Sequence, residues 1–450
     1  MKASESMSAA QHDGPLDVLI VDWQGALRGK RLPGTHRDKI LNSEARMPIS
    51  TQALDIWGDD CDEITGLGLS IGDPDGLCVP DLVQSDFHDQ PWNPGHQQIL
   101  CSLYNEDGST SEFDSRAILQ RAVDSLNARQ LFPVVAVELE FYLMDESVRT
   151  TGKPAVPSVL QVAGPPSDLQ LYDMRAMDRV GDVLEQIHAF AMAMGISAET
   201  QLAEFGPGQF EINLKHQSDP LKAADHAVLF KQLVDRAAYR HGLLATFMAK
   251  PYTEHAGCGQ HVHVSLLDES GNNLFDRDHG DPDRLLHAVA GCLKHLEASQ
   301  LFLAPNANSY RRLQPESFAP VRSDWGYDHR AVSIRLPETT GPGARLEHRV
   351  AGADANPYLV MAVVLNGVAD GLTDARAPTL QPLLPGEQPD GKPLTHDWVV
   401  AIDCAAESIW LQTTLGERFM DLYTRVKRHE AHKINRQVTD IELHTYLPRV

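Results

Sequence analysis

The plainest signal in the chain is alternation. In Val137-Glu-Leu-Glu-Phe141 two carboxylates alternate with bulky apolar residues. Successive strand side chains point to opposite faces, so Glu138 and Glu140 share one face while Val137, Leu139 and Phe141 share the other. The same division recurs downstream. Phe210-Glu-Ile-Asn-Leu214 sets Gln209, Glu211 and Asn213 opposite Phe210, Ile212 and Leu214. His261-Val-His-Val-Ser-Leu266 separates His261, His263 and Ser265 from Val262, Val264 and Leu266, and Arg345-Leu-Glu-His-Arg349 gives Arg345, Glu347 and Arg349 a common face. Four strands of one chain therefore carry reactive groups on their polar faces.

Between them the period changes to that of helices. Apolar residues at helical spacing predict helices over 180–194, 223–240 and 282–298. Ser115 reads as the N-cap of a helix over 116–129, with Ile118, Leu119, Ala122, Val123 and Leu126 on one side. Ahead of it, 16–23 and 98–104 read as strands, with a turn over 24–30 leading to another strand, while 58–81 is rich in Asp, Gly and Pro and reads as loops. These patterns predict an α+β chain with a disordered leader over 1–15, a small β-rich domain over 16–111 and a larger domain over 112–450. A Pro- and Gly-rich stretch over 377–393 leads to C-terminal helices without evident chemistry.

Composition narrows the function. The chain has 450 residues, 42% hydrophobic and 22% charged, as expected of a globular protein with a large core. No run approaches the roughly 18 apolar residues of a membrane span, and the first residues are polar, so a cytoplasmic protein without membrane partners is expected. The six cysteines stand far apart without a CxxC pair, which points to reduced thiols. A net charge of −23 argues against nucleic acid, whose phosphates require basic patches, and is compatible with cationic small molecules and divalent metals.

The carboxylates on the polar faces, with Glu204, raise the question of what neutralises them. Taken singly, each has an ordinary reading: a solvated strand face, a surface ion-pair ladder in Arg345-Leu-Glu-His-Arg349, a satisfied structural histidine. If the strands are neighbours, Glu138, Glu140, Glu204, Glu211, Glu347 and His261 would repel unless cations sat among them. Oxygen-rich sites with one imidazole suit Mg²⁺ or Mn²⁺ better than zinc. Arg312, Arg330, Arg335, Arg345 and Arg349 offer forks for phosphate and carboxylate oxygens. Acid-bound metals beside arginines suit phosphoryl transfer.

The same segments resemble the glutamine synthetase family. Val137-Glu-Leu-Glu-Phe141, Glu204-Phe-Gly-Pro-Gly-Gln-Phe-Glu211, Gly257-Cys-Gly-Gln-His-Val-His-Val-Ser-Leu266, Asn308-Ser-Tyr-Arg-Arg-Leu313, Ser333-Ile-Arg-Leu-Pro337 and Arg345-Leu-Glu-His-Arg349 are similar to its motifs, in its order. The resemblance implies a β-grasp-like N-terminal domain and a catalytic domain built on a curved antiparallel sheet flanked by helices. It implies that Glu140, Glu204 and Glu347 hold one metal and Glu138, Glu211 and His261 a second, with two to three Mg²⁺ or Mn²⁺ per site. His263, Ser265 and Arg345 would face ATP, the co-substrate. Gly257, Gly259, Arg312 and Arg335 would hold glutamate, and Arg330 and Arg349 the transferred phosphoryl group. The implied assembly is a homo-oligomer, a dodecamer of two hexameric rings, with sites completed between subunits.

Two departures bear on the second substrate. Family members that use ammonia carry a flap glutamate in a Pro-Gly-Tyr-Glu-Ala-Pro-like run; here the run is Pro315-Glu-Ser-Phe-Ala-Pro320, with Phe318 at that position. The Asp-Gly-Ser-Ser element that helps bind ammonium is also missing, although Asp75 stands as a second amine-side aspartate. The resemblance is therefore to the branch that joins glutamate to polyamines or other alkylamines. An acidic run with an embedded aromatic, Asp55-Ile-Trp-Gly-Asp-Asp-Cys-Asp-Glu63, is a candidate receiver for a distal ammonium, or simply a solvated loop. An ammonia-using enzyme and a non-catalytic family member are the competing expectations.

Overall fold

The computed structural model describes residues 14–81, 87–161, 170–315 and 317–450. Most of the leader expected over 1–15 lies outside them. Two sheets organise the chain. The first contains β1 (Leu16–Val21), β2 (Leu27–Leu32), β3 (Arg46–Pro48), β4 (Asp75–Pro80), β5 (His88–Asp89) and β6 (Gln97–Tyr104). Its order is β2-β1-β6-β4-β3, with β5 also on β6 and β1 parallel to β6.

The stretch 58–81, expected to be loops, also contains the short helix Asp62–Thr65 and the whole of β4. In β4 the inward positions are Gly76, Cys78 and Pro80. Gly and Pro disguise the apolar alternation there. A Cβ on Gly76 would stand 2.7 Å from the Tyr104 carbonyl oxygen, so glycine is what allows β4 to lie against β6.

The second sheet comprises β7 (Phe132–Asp145), β8 (Ala198–Ala203), β9 (Gln209–Leu214), β10 (Leu243–Thr246), β11 (Gln260–Leu267), and, after the two-residue β12 (Arg322–Ser323), β13 (Trp325–Tyr327), β14 (Ile334–Glu338) and β15 (Arg345–His348). Its order is β13-β14-β15-β11-β7-β9-β8, with β10 also on β7. Among the described residues its strands pair antiparallel except β13 with β14. Finally β16 (Lys392–Pro393) pairs with β12.

Burial along β7 follows the sequence pattern: Val135, Val137, Leu139 and Phe141 are buried, while Glu138 and Glu140 between them stay partly accessible. The apolar face packs into the main core with the helices Ser115–Asn127 and Pro220–Arg240. The first of these is capped by Asp114, whose carboxylate accepts the Ala117 N–H at 2.8 Å, rather than by Ser115. Asp114 also accepts the Leu103 N–H, tying the helix start to β6. The predicted helices over 180–194, 223–240 and 282–298 form as Gly181–Ala193, Pro220–Arg240 and Arg284–Leu303. Proline in the first turn, behind the Asp219 cap, starts the second of them earlier than apolar spacing alone indicates.

Behind the sheet, helix Pro357–Asp374 is almost wholly buried and crosses Arg284–Leu303 at glycines. A Cβ on Gly291 would meet the Gly367 carbonyl oxygen at 2.1 Å. Trp23, just after β1, ties the first sheet to the C-terminal helix Glu417–Asn435: its indole N–H donates to the Phe113 carbonyl at 2.8 Å, and its ring meets Phe419 and Tyr423 edge-on. No helix among the described residues is long and apolar enough to cross a membrane.

Candidate active site

Register brings the acidic faces together. β7 lies between β11 and β9, so Glu138 is opposite both His261 and Asn213, and Glu140 is opposite Glu211. On the other side of β11, His263 faces Glu347, which in turn faces Arg335 on β14. Residues more than two hundred positions apart thus form one floor, because strands of period two were paired without a slip at these positions. Glu204 arrives from the turn after β8, held by its N–H to the Gln209 carbonyl at 2.9 Å.

The floor is tightly bonded. Glu138 meets His261 Nδ1 at 3.1 Å and His263 Nε2 at 2.9 Å. Glu140 accepts the Gly259 N–H at 2.8 Å and the Gln209 amide at 3.3 Å. A Cβ on Gly259 would stand 2.8 Å from Arg312 Nη2 and 2.9 Å from His261 Nε2, and one on Gly257 would stand 2.5 Å from the Ala249 carbonyl oxygen. Both glycines therefore let the backbone approach where a side chain has no room.

Within the floor, three sets of donor groups each lie within 4.8 Å: Glu140 with Glu204 and Glu211, Glu138 with Glu211 and His261, and Glu138 with His263 and Glu347. The set of Glu138, Glu211 and His261 is the one the resemblance implies for a second metal; the other implied set, Glu140 with Glu204 and Glu347, is not brought together. Glu347 stands with Glu138 and the histidines rather than with Glu140 and Glu204, because β15 pairs with β11 on the side of β7 away from β9. Glu211, paired across from Glu140, stands both with Glu138 and His261 and with Glu140 and Glu204.

Electrostatics show what the floor lacks. Burial, then the negative charges of Glu138, Glu140 and Glu204, pushes Glu211 up to about 9. Burial and the neighbouring Glu140 push Glu204 up to about 7. For Glu138, burial is outweighed by the hydrogen bonds and charge of His261 and His263, which hold it well below the usual carboxylate range. Fully buried Glu347 is likewise held low against burial by Arg349 and the histidines. The Glu204 and Glu211 side is short of positive charge, and its donors are all carboxylate oxygens. Divalent cations that prefer oxygen fit that deficit.

Arginines rim the floor. Arg349 pairs with Glu347 and donates Nε–H to the Arg330 carbonyl at 3.1 Å. Arg335 bridges Glu347 at 2.7 Å and Asp328 at 3.1 Å. Arg345 donates to His263 Nδ1 at 3.2 Å, and buried Arg312 donates to the Val350 carbonyl at 2.7 Å. With the carboxylates they line a cleft of about 780 Å³. Of the residues singled out from sequence, Gly259, Ser265, Glu347 and Asp75 do not line it: Glu347 lies fully buried beneath the floor and Gly259 reaches it through its N–H to Glu140. Ser265 turns its hydroxyl to the Ala344 carbonyl at 2.8 Å, and Asp75 is exposed at the start of β4 in the small sheet.

The other wall is apolar and went unread in the sequence: Leu171, Tyr172, Leu202 and Phe205 face the cleft beside Phe318. Only the position of Phe205, directly after Glu204, signalled it. The candidate ammonium receiver in the acidic run is filled from within the chain. Lys433 places its ammonium 4.0 Å from the Trp57 ring centre, 3.2 Å from Asp59 and 3.6 Å from Asp55.

Residues 112–446 match the model of the glutamine synthetase catalytic domain. The chain belongs to the glutamine synthetase family. Within it, the chain is 39% identical over 432 residues to gamma-glutamylputrescine synthetase of Escherichia coli, an alignment covering 95% of this chain and 90% of that protein. It is 31% identical over 439 residues to glutamate–isopropylamine ligase of a Pseudomonas species, covering 95% and 93%. Glutamine synthetase of Pyrococcus abyssi is 30% identical over 377 residues, covering 83% and 78%. The ligand-free structure of GmaS superposes with a TM-score of 0.83 at 25% identity, covering 97% of both chains.

Proposed function

We propose that this protein is an ATP-dependent ligase that joins the γ-carboxylate of glutamate to a polyamine or other alkylamine. The observation that carries the reading is one cleft with a carboxylate and imidazole floor, an arginine rim and an apolar wall at Phe318. The family and its amine-ligating relatives support the same reaction.

Glu140, Glu204 and Glu211 would hold one Mg²⁺ or Mn²⁺, and Glu138, Glu211 and His261 a second; Glu347, grouped with Glu138 and His263, leaves donors for a third. Such ions, when bound, neutralise phosphate charge and align the reacting oxygens. His263 and Arg345 would meet the phosphates of ATP. Arg312 and Arg335, with the Gly257 and Gly259 backbone, hold glutamate. Arg330 and Arg349 offset the charge that gathers on the phosphoryl group as it moves.

The balance is that of two displacements. A γ-carboxylate oxygen of glutamate attacks the terminal phosphorus of ATP and ADP departs, leaving γ-glutamyl phosphate. The neutral amine nitrogen then attacks the acyl carbon, forming the C–N bond. The C–O bond to phosphate breaks, and the proton shed by nitrogen leaves with phosphate. Two domains, 16–111 and 112–450, assemble into a homo-oligomer, which we take to be a dodecamer of two hexameric rings. Exposed Ile441, Tyr446 and Leu447 supply apolar surface for subunit contacts. The six free cysteines accord with the cytoplasm.

Glutamate labelled with oxygen-18 in its γ-carboxylate tests the route. Label appearing in the phosphate released with an amine present supports it; unlabelled phosphate contradicts it.

A further inference from the structure

Phe205 and Phe318 stack face to face, with ring centres 4.3 Å apart and planes 18° from parallel. Phe318 is 65% exposed and adopts φ +62°. A bulky residue in left-handed backbone, showing most of its ring to solvent, is unfavourable on both counts. The stack holds that ring at the cleft, where Leu171, Tyr172 and Leu202 extend the same apolar surface.

The wall also has a defined distance from the chemistry. Phe205 follows Glu204 directly, and its own N–H donates to the Glu204 carboxylate at 3.2 Å. Glu204 is within 4.8 Å of the donor atoms of Glu140 and Glu211. The aromatic surface therefore starts one residue from the floor on which the γ-carboxylate is activated. The base of ATP is a triphosphate's length away from its reacting phosphorus, so it does not fit here. What attaches directly at the reacting carbon is the acceptor nitrogen and the carbon chain it carries.

We propose that the Phe205–Phe318 stack binds the first methylenes of the acceptor amine and thereby selects alkylamines over ammonium. This rests on the ligase reading above. Ammonium has no apolar surface to bury against the rings, whereas each methylene placed there is worth about fourfold in kcat/KM. Removing the outer ring leaves Phe205 alone and the stack open to water.

The test is a series of ammonium, methylamine, ethylamine, propylamine and butylamine, read as glutamate- and ATP-dependent phosphate release by the full-length enzyme. The wild type should gain about fourfold per carbon over the first steps. In Phe318→Ala and Phe205→Ala the butylamine-to-ammonium ratio of kcat/KM should fall about tenfold, carried mainly by KM for the amine, and Phe318→Leu should recover part of it. Melting temperatures of the variants show whether each is folded. Turnover with the same dependence on chain length in wild type and both alanine variants overturns this inference while leaving the ligase reading intact. Absence of turnover with every amine in the wild type overturns both.

Discussion

The two walls of the cleft are made in opposite ways. The floor comes from the middle of regular strands: Glu138, Glu140, Glu211, His261 and Glu347 are placed by ladder register, largely buried, and each bonded to a neighbour or repelled by one. The facing wall comes from turns and loop: Phe205 sits in the turn after β8 and Phe318 in irregular chain at positive φ, with its ring mostly exposed. The first construction fixes charge to within hydrogen-bond tolerances, which suits a reaction step common to a family. The second is held by one ring stack and can change without disturbing a sheet. Chemistry is thereby separated from the choice of acceptor.

If that separation is right, damage to each wall should read differently. The largest effect belongs to the floor: Glu138→Ala should lower kcat by roughly a thousandfold or more while the protein stays folded, since it removes a charge from the crowded floor rather than a core side chain. Steady-state kinetics with a thermal melt checks this, and retained turnover would refute its role. Next comes metal removal. Chelation should abolish phosphate release, and Mg²⁺ or Mn²⁺ should restore it and raise the melting temperature, because cations bound only by the folded floor stabilise it by mass action.

A change to the other wall should be smaller and selective. Phe318→Glu should shift the ratio of kcat/KM toward ammonium by about tenfold, with KM for ATP nearly unchanged. An equal loss with every amine would mean that the walls are not separate. The smallest expected effect lies outside both. His226 is pushed down to about 4, by burial first and then by Lys222 and His88 against Asp225. A histidine with a lowered folded-state pKa contributes stability above its unfolded value of about 6.5, and this is lost as pH falls toward 4. With Mg²⁺ saturating, His226→Gln should recover about 1 kcal/mol near pH 5 in denaturant melts, after allowance for partial solvent screening.

The same contrast explains what could be read from the sequence. Period-two alternation is a property of the strand itself, so the faces carrying Glu138, Glu140, Glu211 and His261 were visible before any fold was known. Which strands are neighbours is a long-range fact. It decided that Glu347 belongs with Glu138 and His263, and no local pattern contains it. β4 resembles loop in sequence because its inward positions are Gly, Cys and Pro. Asp114 and Ser115 are both good caps, and only the bonds of Asp114 to the Ala117 and Leu103 N–H groups distinguish them. The acidic run around Trp57 holds the ammonium of Lys433, nearly four hundred residues downstream, rather than a substrate's, and sequence spacing cannot reveal that partner. Leu171, Tyr172 and Leu202 form a surface only once the turns are folded.

The central claim is that this cleft activates glutamate with ATP and passes it to an alkylated amine. Phosphate release with ATP and glutamate, measured in parallel with ammonium, methylamine, ethanolamine, putrescine, spermidine and spermine, tests it most directly. The account predicts that at least one carbon-bearing amine exceeds ammonium in kcat/KM by about tenfold or more. Ammonium as the best acceptor would contradict it.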